Sequence, residues 1–307
     1  MTGSGVRTAS RAASVSDAQG GSVTIGLDVG TSGLTAVALR PDGTVAAEAS
    51  SHYPLLTPRP GWTEQDPTAW WHAATEALRA IAARLGKARI EAVGVSGQMH
   101  GMVPLDMDGA PVRPALLWND QRTGAQVRDL EAAVPRDELV RRTGNPAVTG
   151  FQLPKVLWLR DEEPDAYARV RTVLFPKDWI AYRLTNVASA EPTDASGSGG
   201  WSPATGDWDA ELLDRVGIAP ELFPNVVRSD AVIGAVTPEA AQATGLAAGT
   251  PVVAGAGDNA AAATALGLGR DAPDLGSVSL GTSGVLFAPL REPTPDPLGR
   301  IHLFAHA

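Results

Sequence analysis

Residues 25–39 read IGLDVGTSGLTAVAL, two apolar runs joined by the short turn GTSG at positions 30–33. Alternating apolar residues before the turn and a second apolar run after it predict a β-hairpin. Glycines let backbone N–H groups approach an anion, and Thr31 and Ser32 add hydroxyl donors, so the turn is suited to binding a phosphate. Asp28, just before the turn, can hold a divalent cation directly or through water. A plain hairpin with a solvated aspartate is the alternative.

The same turn recurs far downstream in the sequence. Residues 277–288 read SVSLGTSGVLFA and contain a second GTSG, which begins with Gly281, Thr282 and Ser283. Two phosphate-binding hairpins that face each other across a cleft would clamp one nucleotide. The second copy has serine where the first has Asp28, so only one hairpin would supply a carboxylate to a metal.

Composition excludes several classes of protein. The 307 residues are 44% apolar, which allows roughly two domains with sizeable cores, and their net charge is −9. No Lys/Arg cluster interrupts this acidic balance, so nucleic acid and anionic membrane are not expected as partners. The sequence has no cysteine, which excludes disulfides and thiol chemistry and suits a reducing cytoplasm. The apolar stretch 252–268 is interrupted by Asp258 and Asn259 and is not predicted to span a membrane.

The first 22 residues are rich in Ser, Ala, Gly and Thr and lack the apolar segment of a secretory signal. We expect residues 1–22 to be a disordered N-terminal extension. A transit peptide is the alternative, although Asp17 and the missing amphipathic pattern argue against it.

A long helix is predicted to begin after Asp66, which would cap it, with Pro67 as its first residue and Gly86 at its end. One face keeps the spacing of three and four residues typical of a buried stripe. Its members are Trp71, Ala74, Leu78, Ile81 and Leu85.

A short apolar run at residues 90–96 follows this helix and predicts a buried parallel strand. It leads into Gly97-Gln98-Met99-His100-Gly101, at the strand end where ligands of open α/β sheets bind. A histidine between glycines with accessible backbone amides suits a ligand with many hydroxyl groups. A surface histidine, or one hydrogen-bonded in the core, is the alternative.

Two further segments are ambiguous. In LLWNDQR, residues 116–122, Trp118 can pack on the C–H face of a sugar or belong to the core, and Asp120 and Arg122 can pair with each other or with a ligand. Residues 189–209 are rich in Gly, Ser, Thr and Asp and predict a long polar loop, either a lid or a disordered connection.

The segment GAGDNAAA places Asp258 and Asn259 between a buried strand and a helix. Asp258 is therefore either a helix N-cap or a catalytic carboxylate at a strand end, and the two roles are compatible.

Four segments now stand in order: LDVGTSG, GQMHG with LWNDQR, GAGDNAAA, and SLGTSG. Together they resemble the FGGY family of carbohydrate kinases from about Thr24 to the end of the sequence. FQLPKVLW at 151–158 and PKDW at 176–179 fit the same family, and GQMHG is similar to its members that act on xylulose.

The resemblance implies an α/β protein of the actin/hexokinase/Hsp70-like architecture, with two ribonuclease-H-like domains around a cleft. It implies phosphorylation of D-xylulose to D-xylulose 5-phosphate by ATP, with Mg²⁺ bridging the phosphates and Asp258 as general base. By the same resemblance, Asp28 holds the metal. The residues that bind phosphates are Thr31, Ser32, Gly281, Thr282 and Ser283. The residues that lie at the sugar are Met99, His100, Trp118, Asp258 and Asn259.

Family members continue well beyond this length, so residues 23–266 are interpreted as a complete first domain and residues 267–307 as the start of a truncated nucleotide-binding domain. A homodimer is possible for the full-length form. The alternatives are a kinase for another ketose, a polyol or a sugar acid, a chaperone or filament ATPase, and a non-catalytic sugar-binding fragment.

Overall fold

The computed structural model describes residues 21–269, 272–280 and 284–307. Its strands are β1 (Ser22–Val29), β2 (Gly33–Leu39), β3 (Val45–His52), β4 (Glu64–Gln65), β5 (Arg89–Gly97), β6 (Val103–Leu105), β7 (Ala115–Leu116), β8 (Thr172–Leu174), β9 (Trp201–Ser202), β10 (Asp207–Trp208), β11 (Val232–Ala235), β12 (Pro251–Gly257), β13 (Ser277–Leu280) and β14 (Gly284–Phe287). Its helices are α1 (Pro67–Leu85), α2 (Gly124–Ala133), α3 (Arg136–Thr143), α4 (Gln152–Glu162), α5 (Pro164–Tyr167), α6 (Pro176–Thr185), α7 (Pro192–Ala195), α8 (Ala210–Arg215), α9 (Pro238–Thr244) and α10 (Asp258–Ala265).

A six-stranded mixed sheet in the order β11-β12-β5-β1-β2-β3 forms the centre of the fold. The predicted hairpin is confirmed, because β1 and β2 pair antiparallel from Thr24↔Leu39 to Val29↔Leu34. The strands β1, β5 and β12 run parallel to one another. Since β1 begins at Ser22, the predicted extension over 1–22 overlaps the strand by one residue, and residues 1–20 lie outside the described part of the chain.

Helix α1 agrees with its prediction at both ends. The side chain of Asp66 accepts a hydrogen bond from the backbone N–H of Thr68 at 2.8 Å, and Gly86 ends the helix with a φ of 59°. All five residues of the predicted apolar face are buried. This stripe packs on β2 and β3, so the helix covers one face of the sheet.

Two apolar clusters stabilise the fold. The larger one joins the central sheet to α1, α6 and α9, and its fully buried aromatic side chains are Trp70 and Trp179. The second cluster contains buried side chains of α2, α4, α8 and β8, among them Leu153 and Leu157. Within the described residues, no helix is both long enough and apolar enough to cross a membrane.

The second predicted hairpin forms a separate two-stranded sheet. Strands β13 and β14 pair antiparallel, with Leu280 opposite Gly284. The turn between them, which includes Gly281, Thr282 and Ser283, lies outside the described residues, so its proposed phosphate contacts stay a prediction.

Candidate active site

The carboxyl ends of β1, β5 and β12 meet at one edge of the sheet. Val29 at the end of β1 and Gly257 at the end of β12 both lie opposite Gly97 at the end of β5. The turn after β1, the segment after β5 and the start of α10 therefore adjoin each other. This edge is where ligands bind in open α/β sheets.

The turn after β1 is held by buried side chains. Its Gly30 carbonyl accepts a hydrogen bond from the Tyr53 hydroxyl at 2.6 Å, and its Thr31 carbonyl accepts one from Gln65 Nε2 at 2.7 Å. Gln98 Nε2 in turn donates to Gln65 Oε1 at 3.0 Å. These hydrogen bonds hold the turn in place from its buried side, while Ser32 remains exposed. The sequence did not reveal this role of Gln65.

Asp28 lies exposed at the end of β1 and accepts a hydrogen bond from Ser96 Oγ at 2.9 Å. It is also close enough to Asp258 for its charge to disfavour ionisation of that residue. The described residues contain no group of three or more His, Cys, Asp or Glu side chains arranged for a metal. A single exposed carboxylate such as Asp28 suits Mg²⁺, which usually binds one or two carboxylates together with water and substrate phosphates, and this role of Asp28 stays a prediction.

His100 occupies a strained turn directly after β5. Its φ of 65° is uncommon for a residue with a side chain, and its Nδ1 donates to the Gly197 carbonyl at 2.9 Å. The ring packs against Phe151 and Phe304, with centroid distances of 5.0 and 5.5 Å, and these two rings also contact each other. Burial, followed by the charge of Lys155, lowers the pKa of His100 to about 3. The ring is therefore neutral, and Nε2 can accept a hydrogen bond from a hydroxyl group.

A fully buried lysine supports the backbone of His100. Lys155 Nζ donates to the carbonyls of His100 at 2.7 Å and Gly150 at 2.5 Å. Burial lowers the pKa of Lys155 to about 7. Sequence analysis included this residue only in the family segment FQLPKVLW and gave it no role. A lysine within this apolar run was the available signal for a special role.

Met99 connects the segment after β5 to the start of α10. It is 5% exposed, and a Cβ placed on Gly257 would lie only 2.6 Å from Met99 Cγ. A side chain at position 257 would therefore displace Met99. The glycine is required here because the methionine packs directly on its backbone.

Trp118 is not a core residue. Its side chain is 42% exposed, and its indole N–H donates to Thr31 Oγ1 at 3.1 Å. The structure thus places Trp118 beside the first phosphate hairpin. Its neighbours Asp120 and Arg122 pair with each other at 2.8 Å and are both fully buried, so they position this segment rather than contact a ligand.

Asp258 begins α10, and the N-cap position belongs to Gly257. The alternative prediction of a helix N-cap is therefore wrong. One carboxylate oxygen accepts from the backbone N–H of Asn259 at 2.7 Å and from its side-chain amide at 3.2 Å. Burial, with a smaller effect from Asp28, raises the pKa of Asp258 to about 6. A carboxylate with this pKa is mostly ionised at neutral pH and is a better base than a solvated aspartate.

Most of the polar segment 189–209 is buried rather than forming an exposed lid, and only residues 204–207 of it are exposed. Glu191, Thr193, Asp194 and Ser198 are all buried, and α7 lies within the segment. The composition suggested a loop because these residues are polar. In the structure, the Thr193 hydroxyl bonds to the buried Glu191 carboxylate and to the backbone of Gly257 at the end of β12.

Comparison with known proteins identifies the family. The model for the N-terminal domain of the FGGY family of carbohydrate kinases matches residues 23–267. The chain belongs to this family. Xylulose kinase of Escherichia coli K12 is 38% identical over 283 residues, covering 92% of this chain and 57% of that kinase. Xylulose kinase of Streptomyces coelicolor is 39% identical over 295 residues, covering 94% of this chain and 58% of that kinase.

Solved structures of the family agree with the predicted fold. The crystal structure of xylulose kinase from Rhodospirillum rubrum has a TM-score of 0.88 at 34% identity and matches 92% of this chain and 58% of that one. A glycerol kinase from Plasmodium falciparum shares the fold at 19% identity, with a TM-score of 0.79. The actin/hexokinase-like α/β fold is thus confirmed. The chain spans less than two thirds of the length of the relatives it matches.

Proposed function

We propose that this chain is the sugar-binding part of a kinase that phosphorylates D-xylulose to D-xylulose 5-phosphate with ATP. The observation that carries the proposal is the position of Asp258. Its carboxylate, with a pKa near 6, lies at the same sheet edge as His100 and the first phosphate hairpin. The names of the curated relatives support the choice of xylulose.

In the proposed arrangement, residues 23–266 form the sugar- and phosphate-binding domain and residues 267–307 begin the nucleotide-binding domain. The sugar lies against the side chains that follow β5 and β12. The phosphates lie on the two GTSG turns, and Trp118 lies near both. The sugar-binding set is Met99, His100, Asp258 and Asn259, and the phosphate-binding set is Thr31, Ser32, Gly281, Thr282 and Ser283.

Asp258 performs two tasks in this proposal. It orients a sugar hydroxyl in line with the γ-phosphate, and it accepts the proton of that hydroxyl as the new O–P bond forms. Neutral His100 binds the sugar through Nε2. Asp28 would hold Mg²⁺, which when bound neutralises the negative charge of the phosphates.

A related substrate is the second candidate. A structure with 27% identity and a TM-score of 0.80 is titled gluconate kinase, so this fold also carries an enzyme named for a sugar acid. A sugar acid brings an additional negative charge close to Asp28 and Asp258. The two neighbouring carboxylates therefore favour a neutral ketose.

Calorimetric titration of this chain with D-xylulose, xylitol and gluconate tests the proposal. We expect D-xylulose to bind most tightly. His100→Ala should weaken that binding about tenfold, because a buried hydrogen bond is worth about 1 kcal/mol or more. His72→Ala, which removes an exposed histidine from α1, is the matched control and should leave binding unchanged.

Phosphoryl transfer is measured in a chimera that extends this chain with the remaining part of the Streptomyces coelicolor relative. We expect ADP formation with D-xylulose at roughly 1–100 s⁻¹. Preference for gluconate or xylitol in either assay would contradict the choice of substrate. Failure of all three sugars to bind would contradict the proposed function.

A further inference from the structure

A buried polar segment contacts the end of β12, the strand that directly precedes Asp258. Glu191 and Thr193 are fully buried at the start of α7, and neither is needed to bind sugar or phosphate in the function proposed above. Burying a carboxylate is unfavourable unless it is hydrogen-bonded and its charge is compensated. The contacts of Glu191 show how both conditions are met.

Glu191 accepts four hydrogen bonds. They come from the Thr193 hydroxyl at 2.7 Å, the Ser229 hydroxyl at 2.8 Å, and the backbone N–H groups of Thr193 and Asp194 at 2.9 and 3.0 Å. Lys177 Nζ lies 3.4 Å away and compensates the charge. Burial alone would raise the pKa of Glu191, but Lys177 and these hydrogen bonds outweigh it and hold the pKa below its ordinary value. Glu191 is therefore an ionised acceptor.

The orientation of the Thr193 hydroxyl follows from this. An ionised Glu191 can only accept, so the hydroxyl must donate to it and presents a lone pair on its other side. That lone pair accepts the backbone N–H of Gly257 at 2.8 Å. Gly257 directly precedes Asp258, so one continuous chain of hydrogen bonds runs from Glu191 to the peptide that carries the proposed base.

A second connection reaches the end of β12 through Ser229. The Ser229 hydroxyl donates to Glu191, and the Ser229 carbonyl accepts the backbone N–H of Gly255 at 2.9 Å. Gly255 has a φ of 76°, and a Cβ at this position would lie 1.7 Å from the carbonyl oxygen of Val95. Position 255, near the end of β12, must therefore be glycine and has no side chain that could hold it in place. It depends on hydrogen bonds from outside.

We propose that Glu191, Thr193 and Ser229 form a brace that positions Asp258 by fixing the peptide groups of Gly255 and Gly257. The brace residues are positioning residues. They hold the Asp258 carboxylate within the small tolerance that proton transfer and in-line attack require, since a displacement of about 1 Å can lower a rate by roughly 100-fold. This proposal rests on the role of Asp258 given above.

The neighbouring acidic groups fit the same arrangement. Asp178 lies 2.5 Å from Lys177 Nζ, and Asp194 lies 3.6 Å from it. Within the described residues, neither oxygen of Asp194 has a hydrogen-bond partner, and burial raises the pKa of Asp194 well above its ordinary value. The positive charge of Lys177, 3.4 Å from Glu191, favours the ionised form of Glu191. The ionised brace is thereby stable in the interior.

Thr193→Val tests the brace because it removes the hydroxyl and keeps the shape. Thr244→Val is the matched control, because Thr244 is as fully buried as Thr193. The Thr244 hydroxyl donates to the Ala240 carbonyl at 2.7 Å and, like that of Thr193, accepts a backbone N–H, here from Leu246. Both variants should lower the urea midpoint of this chain. Only Thr193→Val should accelerate amide hydrogen exchange at Gly257 and weaken D-xylulose binding, each by at least about tenfold. Thr193→Ser should restore both readouts.

Equal loss of stability in Thr193→Val and Thr244→Val, with unchanged exchange at Gly257 and unchanged sugar affinity, would overturn the proposal. If Thr193→Val does not fold, Ser229→Ala takes its place and should accelerate exchange at Gly255 by a smaller factor. If the parent chain binds no D-xylulose, the proposed function fails. The brace is then still tested by Gly257 exchange and by the carbon-13 NMR titration of Asp258, which Thr193→Val should shift and Thr244→Val should not.

Discussion

Replacing Asp258 with asparagine should stabilise the folded chain while it removes the proposed base. Burial and the nearby Asp28 raise the pKa of Asp258 from its ordinary value of 3.8 to about 6. This difference corresponds to about 3 kcal/mol of unfavourable free energy for the ionised form in the folded state. Asparagine is uncharged and keeps nearly the same shape. It loses the charge-assisted bond from the Asn259 N–H, so the net gain at pH 8 should be about 1–3 kcal/mol.

The dependence on pH has a defined sign. Because the folded pKa of Asp258 lies above the unfolded pKa, the folded state binds more protons between about pH 4 and pH 6, and its stability falls as the pH rises through that window. Above about pH 6 the full destabilisation is present. The stabilisation by Asp258→Asn should therefore be larger at pH 8 than at pH 5, by about 1 kcal/mol.

Urea unfolding of both proteins at pH 5 and pH 8 measures this effect. Asp66→Ala is the control, because Asp66 is a true N-cap and its loss should destabilise the chain by about 1 kcal/mol at both pH values. If Asp258→Asn destabilises the chain in the same way, Asp258 serves only the structure of the helix and the proposed mechanism is wrong. In the phosphorylating chimera, the same substitution should lower kcat by at least about 100-fold, since proton transfer is worth that much.

Three further outcomes are expected. Asp28→Asn in the chimera should raise the Mg²⁺ concentration needed for half-maximal activity, and excess Mg²⁺ should partly restore the rate. An unchanged Mg²⁺ requirement would exclude Asp28 as a metal ligand. The pKa of Lys155 in the folded chain lies below its ordinary value, so above about pH 7 the folded state binds fewer protons than the unfolded state. The free energy of unfolding should therefore rise with pH in that range. Lys155→Met should flatten this rise, which urea titrations at pH 7 and pH 9 measure. Gly255→Ala should destabilise the chain by more than about 3 kcal/mol or prevent folding, because its Cβ would overlap the carbonyl oxygen of Val95. Gly267→Ala shares a positive φ of 69° but has open space around it, so calorimetric melting should show a loss of only about 1–2 kcal/mol.

Local patterns in the sequence were sufficient for the elements of the fold. The hairpin at residues 25–39 follows from the period of its apolar residues and the glycine turn, and the structure confirms it. Helix α1 follows from Asp66, Pro67 and a single apolar face. Each of these signals lies within a few residues or a few helical turns, so no distant contact is needed to interpret it.

The environment of each polar side chain could not be predicted in this way. From the sequence, Trp118 could belong to the core or contact a sugar. Only its hydrogen bond to Thr31, 87 residues away, shows that it lies at the hairpin. Segment 189–209 was interpreted as a loop because its residues are polar. Its burial depends on contacts with Lys177 and with the end of β12, which tertiary folding brings together.

The sequence by itself thus determined the hairpin, the main helix, the family and the residue types available for catalysis, because periodicity, capping and motif order are properties of neighbouring residues. Only the tertiary structure decided which of those residues act together. The pKa of Asp258, the neutral state of His100 and the brace behind Gly257 all depend on burial and on contacts between residues more than 50 positions apart. Burial changes the free energy of a charge through its surroundings, and those surroundings exist only once the strands have paired and the helices have packed on them.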